Sequence, residues 1–152
     1  MKWKLPHISK VYEALGAIAD GRVEVTGNTA KVYSSSRNKF YEVTYDPAKN
    51  SIMSNDNSAY WKGELGYPAI ALLMQLGVLP YDKNIAGSLK GIAWKDINQK
   101  HKNDFDKTVE GVLQNLGQDA DKVSELCDRV LAEIGRLDLA YLGSKQKPPA
   151  GY

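Results

Sequence analysis

Apolar residues return at helical spacing near the start of the chain. Ile8, Val11, Tyr12, Leu15 and Ile18 fall on one face of a helix predicted over residues 7–19. Pro6 precedes it and Asp20-Gly21 ends it. The period then changes to two. Val23 and Val25 alternate with Arg22 and Glu24. After the turn pair Gly27-Asn28, Ala30 and Val32 alternate with Lys31 and Tyr33. The polar stretch 34–38, SSSRN, is a turn. Residues 39–45 follow as the strongest strand, because Phe40, Tyr41, Val43, Thr44 and Tyr45 all favour extended backbone. Residues 46–50 hold a proline that presets φ and Asp and Asn side chains that close local turns. Residues 51–54 complete the set as a short fourth strand.

Beyond residue 66 the pattern is helical. Pro68 suits a first helical turn, and Ala69-Ile70-Ala71-Leu72-Leu73-Met74 follows it to a stop at Gly77. That helix is apolar nearly all round, which predicts burial. Short helices are expected over 85–89 and from Trp94. Asn103 is the expected N-cap of a helix through Leu116, whose face is Phe105, Val109, Val112, Leu113 and Leu116. A last helix is predicted from about Asp119 to Leu142. Its stripe is Val123, Leu126, Cys127, Val130, Leu131, Ile134 and Leu137, with Tyr141 at the end. Gly135 weakens it by ~1 kcal/mol relative to Ala. The fold class is therefore α+β: an N-terminal helix, a small antiparallel sheet of three or four strands, then a C-terminal group of helices. One domain spans 1–142, and the Lys/Pro/Gly-rich segment 143–152 reads as a flexible tail.

Length fits this division, since 152 residues make one domain. Net charge is +2, from 20 basic and 18 acidic side chains, so no strong field points to a polyanion or a membrane. Cys127 is the one cysteine. It cannot form an internal disulfide, and it fits a reducing compartment. The start, MKWKLP, lacks the apolar stretch of a secretory signal. The longest apolar run, 69–74 extended loosely to 79, is far short of the ~20 residues that span a bilayer. No membrane partner is expected, and the expected location is cytoplasmic.

The search for chemistry gives mostly exclusions. There is no GxxxxGK[ST] phosphate loop, no GxGxxG after a strand, no HExxH and no GxSxG elbow. His7 and His101 lie far apart in sequence. Cys127 sits on an apolar stripe and reads as a core cysteine. Asp104 and Asp106 read as first-turn acids that complement a helix dipole. With one Cys and two His, no metal and no cofactor are expected.

Two segments stand out. Residues 55–67, NDNSAYWKGELGY, carry Tyr60, Trp61 and Tyr67 without hydrophobic periodicity. Either Tyr60 and Trp61 fold back as a lid over the core, or they form an aromatic contact surface. Asn55, Asp56 and Asn57 read as Asx-turn formers rather than a cation site. Between residues 90 and 107, Lys90, Lys95, Lys100, His101, Lys102 and Lys107 surround Trp94. Either this is a solvated helix face with Trp94 turned inward, or it is a basic stripe with a stacking ring. Arg37 and Lys39 add a small basic patch at a hairpin tip. The candidate nucleic-acid contacts are thus Arg37, Lys39, Tyr60, Trp61, Lys62, Trp94, Lys95, Lys100 and Lys102.

The order of residues 40–76 resembles the SWIM-type zinc finger. The shared layout is a strand pair, a polar loop of about ten residues, then Gly-Tyr-Pro-Ala-Ile-Ala-Leu-Leu opening a helix. The family's CxC and CxH pairs would fall near residues 52–56 and on Gly66 and Pro68, where this chain has neither Cys nor His. No ligand role carries over and no zinc is expected. The resemblance implies a module that binds nucleic acid or protein.

Three functional classes follow. The preferred one is a binding module that contacts single-stranded nucleic acid or has a regulatory role. The second is a protein-interaction or oligomerisation domain. In it Val123, Leu126, Val130, Ile134 and Leu137 form the interface, and a homodimer is the simplest case. The third is a small enzyme, for which no constellation speaks.

Overall fold

The computed structural model describes residues 1–150. Helix α1 (Ser9–Ala19) leads into four strands: β1 (Val23–Thr26), β2 (Thr29–Tyr33), β3 (Phe40–Asp46) and β4 (Ser51–Ser54). A single π-helical turn (Ser58–Lys62) then precedes α2 (Tyr67–Gln75), α3 (Lys83–Gly87), α4 (Trp94–Lys100) and α5 (Phe105–Leu116). A 3₁₀ turn (Gly117–Asp119) joins α5 to α6 (Ala120–Leu137), and β5 (Ala140–Tyr141) comes last. The α+β reading holds.

The sheet runs β1-β2-β3-β4-β5. Neighbours β1 to β4 are antiparallel, and β5 lies parallel to β4, with Ser51 opposite Ala140 and Ile52 opposite Tyr141. The period-2 pattern sets which face is covered: Ala30, Val32, Tyr41 and Val43 point inward while Lys31, Glu42 and Thr44 point to solvent. The two-residue connection at Gly27-Asn28 works because Gly27 adopts φ +60°, which its missing Cβ permits. Helix α2 packs on this sheet, and α1 packs on α2. Helices α3, α5 and α6 cover the far side of α1. Ile70, Leu72 and Leu73 have no exposure, so each contributes on the order of 1.5–3 kcal/mol of apolar burial.

Four expectations need correction. The last helix stops at Leu137, because Asp138 turns left-handed at φ 50°. Residues 140 and 141 are a fifth strand rather than a helix end. They are held by the chain's own start: Trp3 N–H donates to the Leu139 carbonyl and Tyr141 N–H to the Met1 carbonyl, at 2.9 and 2.8 Å. The cap of α5 is Asp104, whose carboxylate accepts the Lys107 N–H, while Asn103 sits in the left-handed region one residue earlier. Finally, the stripe on α6 is not an open interface. Val123, Leu126, Val130 and Ile134 are buried and Leu137 is half-buried against the same core, so helices of this chain already cover it. Cys127 lies in that core beside Tyr12, and burial pushes its thiol well above the ordinary range.

Residues 143–150 carry no regular secondary structure, and Lys145 Nζ donates to the Tyr60 carbonyl at 3.2 Å. The final two residues of the predicted tail lie outside the described residues. No helix among the described residues is long and apolar enough to cross a membrane.

Candidate functional site

The end of α1 organises the site. Asp20 caps that helix, and its polar atoms hold three neighbouring segments together. Its Oδ2 accepts Arg22 Nε at 3.3 Å, its Oδ1 accepts the Gly91 N–H at 2.7 Å, and its carbonyl accepts Arg37 Nη2 at 2.6 Å. The β2–β3 hairpin and the segment before α4 are thereby fixed against α1. Lys95 N–H reaches Ser35 Oγ at 3.4 Å, which brings the start of α4 against the hairpin tip.

A cavity of about 160 Å³ opens where these pieces meet. Arg22, Lys39 and Lys95 line it, with Glu13 and Asn98 on the helix side and Ser34 and Ser35 on the hairpin side. Its aromatic walls are Tyr41, Tyr67 and Trp94, and Asn57 stands at its edge. Tyr41 and Tyr67 meet edge to face, with centroids 6.3 Å apart. Burial pushes the Tyr41 phenol up to about 12, with the negative charges of Asp56 and Glu13 adding to the effect. Burial also raises Tyr67. Both phenols are therefore neutral hydrogen-bond donors at ordinary pH. Lys39 is lowered from its ordinary value by burial and by the charge of Lys95. Glu13 is already engaged: Asn98 Nδ2 donates to its Oε1 at 2.7 Å, and Lys10 Nζ lies 3.4 Å from its Oε2.

The aromatic loop behaves differently. Asp56 is its anchor, fully buried, with burial raising its carboxyl. Ser54 Oγ donates to Asp56 Oδ1 at 2.5 Å, and the Ala59 N–H donates to Oδ2 at 3.2 Å. Asp56 thus caps the π-helical turn, in line with the turn-forming role read from the sequence. Its other flank lies on Gly66, where an added Cβ would fall 2.0 Å from Oδ2. The resemblance read from the sequence would put its two ligand pairs at residues 52–56 and 66–68. Here a carboxylate packed on a glycine joins them. Among the described residues, no three of His, Cys, Asp and Glu come together as a metal site would need.

On this turn Trp61 is 70% exposed. Tyr60 meets it edge to face at 4.7 Å, and Lys62 Nζ lies 5.3 Å from the Phe105 ring centroid. Lys10 covers the same ring at 4.2 Å. Trp61 is thus not a core lid.

The structure brings some predicted residues together and separates others. Lys39 and Lys95 share the cavity, and Arg37 lies on the hairpin that borders it. Tyr60, Trp61 and Lys62 share one turn, which begins beside Asn57. Lys100 and Lys102 are exposed at the end of α4 and just past it. Trp94 must be withdrawn as a nucleic-acid contact: it is 3% exposed, and its Nε1 packs where a Cβ on Gly16 would lie only 2.6 Å away. Sequence reasoning missed Glu13, Arg22, Tyr41, Tyr67 and Asn98. Arg22 was visible only as the polar partner of alternating valines, and Tyr41 and Tyr67 only as strand and loop aromatics.

Fold and site together define an α+β protein with a helix-covered, five-stranded sheet and a cation-lined cavity at one hairpin. The chain belongs to the family described as uncharacterised conserved protein UCP014422, which it matches over residues 3–140. No curated protein and no solved structure matches it.

Proposed function

We propose that this protein is a binding module for single-stranded nucleic acid. Bases stack on Trp61 and Tyr60, and phosphates lie along Lys62, Arg37, Lys39, Lys95, Lys100 and Lys102. The observation that supports the reading is the exposure of Trp61. A tryptophan at 70% exposure gives up little stability by being there and leaves a large ring open to a partner. Tyr60 props it from the side, so the ring is held in place before anything binds. Asn57 links this turn to the cavity that Lys39 and Lys95 border, which favours one continuous path for a strand. The resemblance of residues 40–76 to the SWIM layout leans the same way.

The reading has a direct test. Binding of a fluorescent oligonucleotide should fall steeply as salt rises, because phosphate contacts release counterions. Trp61→Ala should weaken it by ~1–3 kcal/mol, the value of one lost stacking contact, with the melting temperature unchanged. Equal binding by the variant, or binding indifferent to salt, sinks the proposal.

A further inference from the structure

We propose that the C-terminal segment completes the strand-binding surface, with Lys145 holding the phosphate next to the base stacked on Trp61. It rests on the single-strand reading above and adds a residue and a segment to that site. Tyr141 fixes the point where the segment leaves the sheet. Its N–H donates to the Met1 carbonyl at 2.8 Å, and its ring centroid lies 4.1 Å from that of Trp3. The next N–H, of Leu142, donates to the Ile52 carbonyl at 3.1 Å. Lys145 then returns to the turn that carries Trp61. Its Nζ donates to the Tyr60 carbonyl at 3.2 Å and lies 5.9 Å from the Tyr141 ring centroid. Tyr60 directly precedes Trp61, so the ammonium sits one peptide away from the stacking residue.

Gly63 makes room for this contact. It closes the turn at φ 67°, and a Cβ there would lie 2.8 Å from the Tyr141 hydroxyl and 3.6 Å from Lys145 Nζ. An ammonium has three N–H donors, and the Tyr60 carbonyl takes one. Lys145 is exposed, and no carboxylate among the described residues pairs with it. Lys2 and Lys10 differ, being tied to Asp138 and Glu13 at 3.2 and 3.4 Å. A cation already fixed by one donor keeps its charge for a phosphate and loses less side-chain freedom when it binds one. Lys62 reaches another neighbour, with its Nζ 5.3 Å from the Phe105 ring centroid on α5. The turn thus offers one cation toward α5 and one toward β5, held by the residues on either side of Trp61. A nucleic-acid strand carries a phosphate on each side of every internal nucleoside, and this arrangement has a cation for each.

Fluorescence anisotropy of labelled single-stranded DNA and RNA of randomised sequence, titrated with the full chain at several salt concentrations, tests this. Lys145→Gln should reduce the slope of log affinity against log salt by about 0.7, the value of one phosphate on a single strand. Affinity should fall roughly fivefold near 0.1 M salt and approach wild type near 1 M. Lys145→Arg should restore both. Lys2→Gln removes the same charge from a lysine already paired with Asp138, and it should leave the slope unchanged. All three variants should melt with the wild type, because each touches only exposed contacts. Wild-type binding with an unchanged slope in Lys145→Gln overturns the assignment and leaves the single-strand reading in place. If affinity has fallen without a change of slope, Lys145 is only a tie for the turn. An equal slope change in Lys2→Gln also overturns the assignment, since it would report the field of the whole molecule. If the wild type binds neither probe, or binds without regard to salt, the single-strand reading fails and takes this assignment with it.

Discussion

Trp61 and Trp94 stand in similar sequence surroundings. Each sits beside a lysine in a mostly polar stretch, and neither lies on a long apolar stripe. Yet one is 70% exposed and the other 3%. The difference lies in what each segment meets. Trp94 opens α4, which the contacts of Asp20 and Ser35 hold against the end of α1, and there Gly16 leaves a gap that the indole fills. Trp61 belongs to a turn whose buried elements are Asp56 and Ala59, so its ring has no gap to enter. An aromatic in a charged stretch is therefore core or surface according to a partner groove elsewhere in the chain. A glycine on a different helix settled the case of Trp94.

The contrast is broken most forcefully at Trp94. Trp94→Ala should cost about 3–5 kcal/mol of stability, as large-to-small core changes do, and chemical denaturation reads it directly. A neutral result would mean that the two tryptophans are alike after all. Alkaline unfolding probes the same buried region through Tyr41, with Tyr12 as its counterpart against α6. Both phenols are raised to about 12 by burial. An unfolded phenol ionises first, so this stability is complete below pH 10 and declines between pH 10 and 12. The decline reaches about 1.4 kcal/mol per pH unit for each group, and it should appear in denaturant midpoints.

Gly16→Ala tests the gap itself. The added methyl would meet Trp94 Nε1 at 2.6 Å. Overpacking of that kind costs about 1–3 kcal/mol, against a helix gain of ~1 kcal/mol, so a net loss is expected. Gly135→Ala is the matching control. Nothing lies within 4 Å of its Cβ position, and it should raise stability by up to ~1 kcal/mol. The smallest effect belongs to Trp61→Ala, whose stability should stay within ~0.5 kcal/mol of wild type. A large drop there would return Trp61 to the role of a lid. Cys127 gives a readout of global opening for all of these variants, since its buried thiol should label only when the chain unfolds.

Periodicity, together with β-propensity and turn residues, located α1, α2, α5, the body of α6 and the first four strands. The alternation at Ala30, Val32, Tyr41 and Val43 states which sheet face is covered, and the near-continuous run from Ala69 to Met74 states that α2 is central. Those assignments depend on neighbours a few residues apart, and local sequence carries that information. Three things were decided only in the tertiary structure. The α6 stripe was legible as apolar, but that α1, α3 and α5 would cover it depends on how four helices cross. Strand β5 forms because Met1 and Trp3 arrive from the other end of the chain to hold it. The cavity gathers Arg22, Tyr41, Tyr67 and Lys95 from four segments, none of which carries a motif. They share one wall only where those segments meet, because proximity between distant segments is a property of space rather than of sequence order.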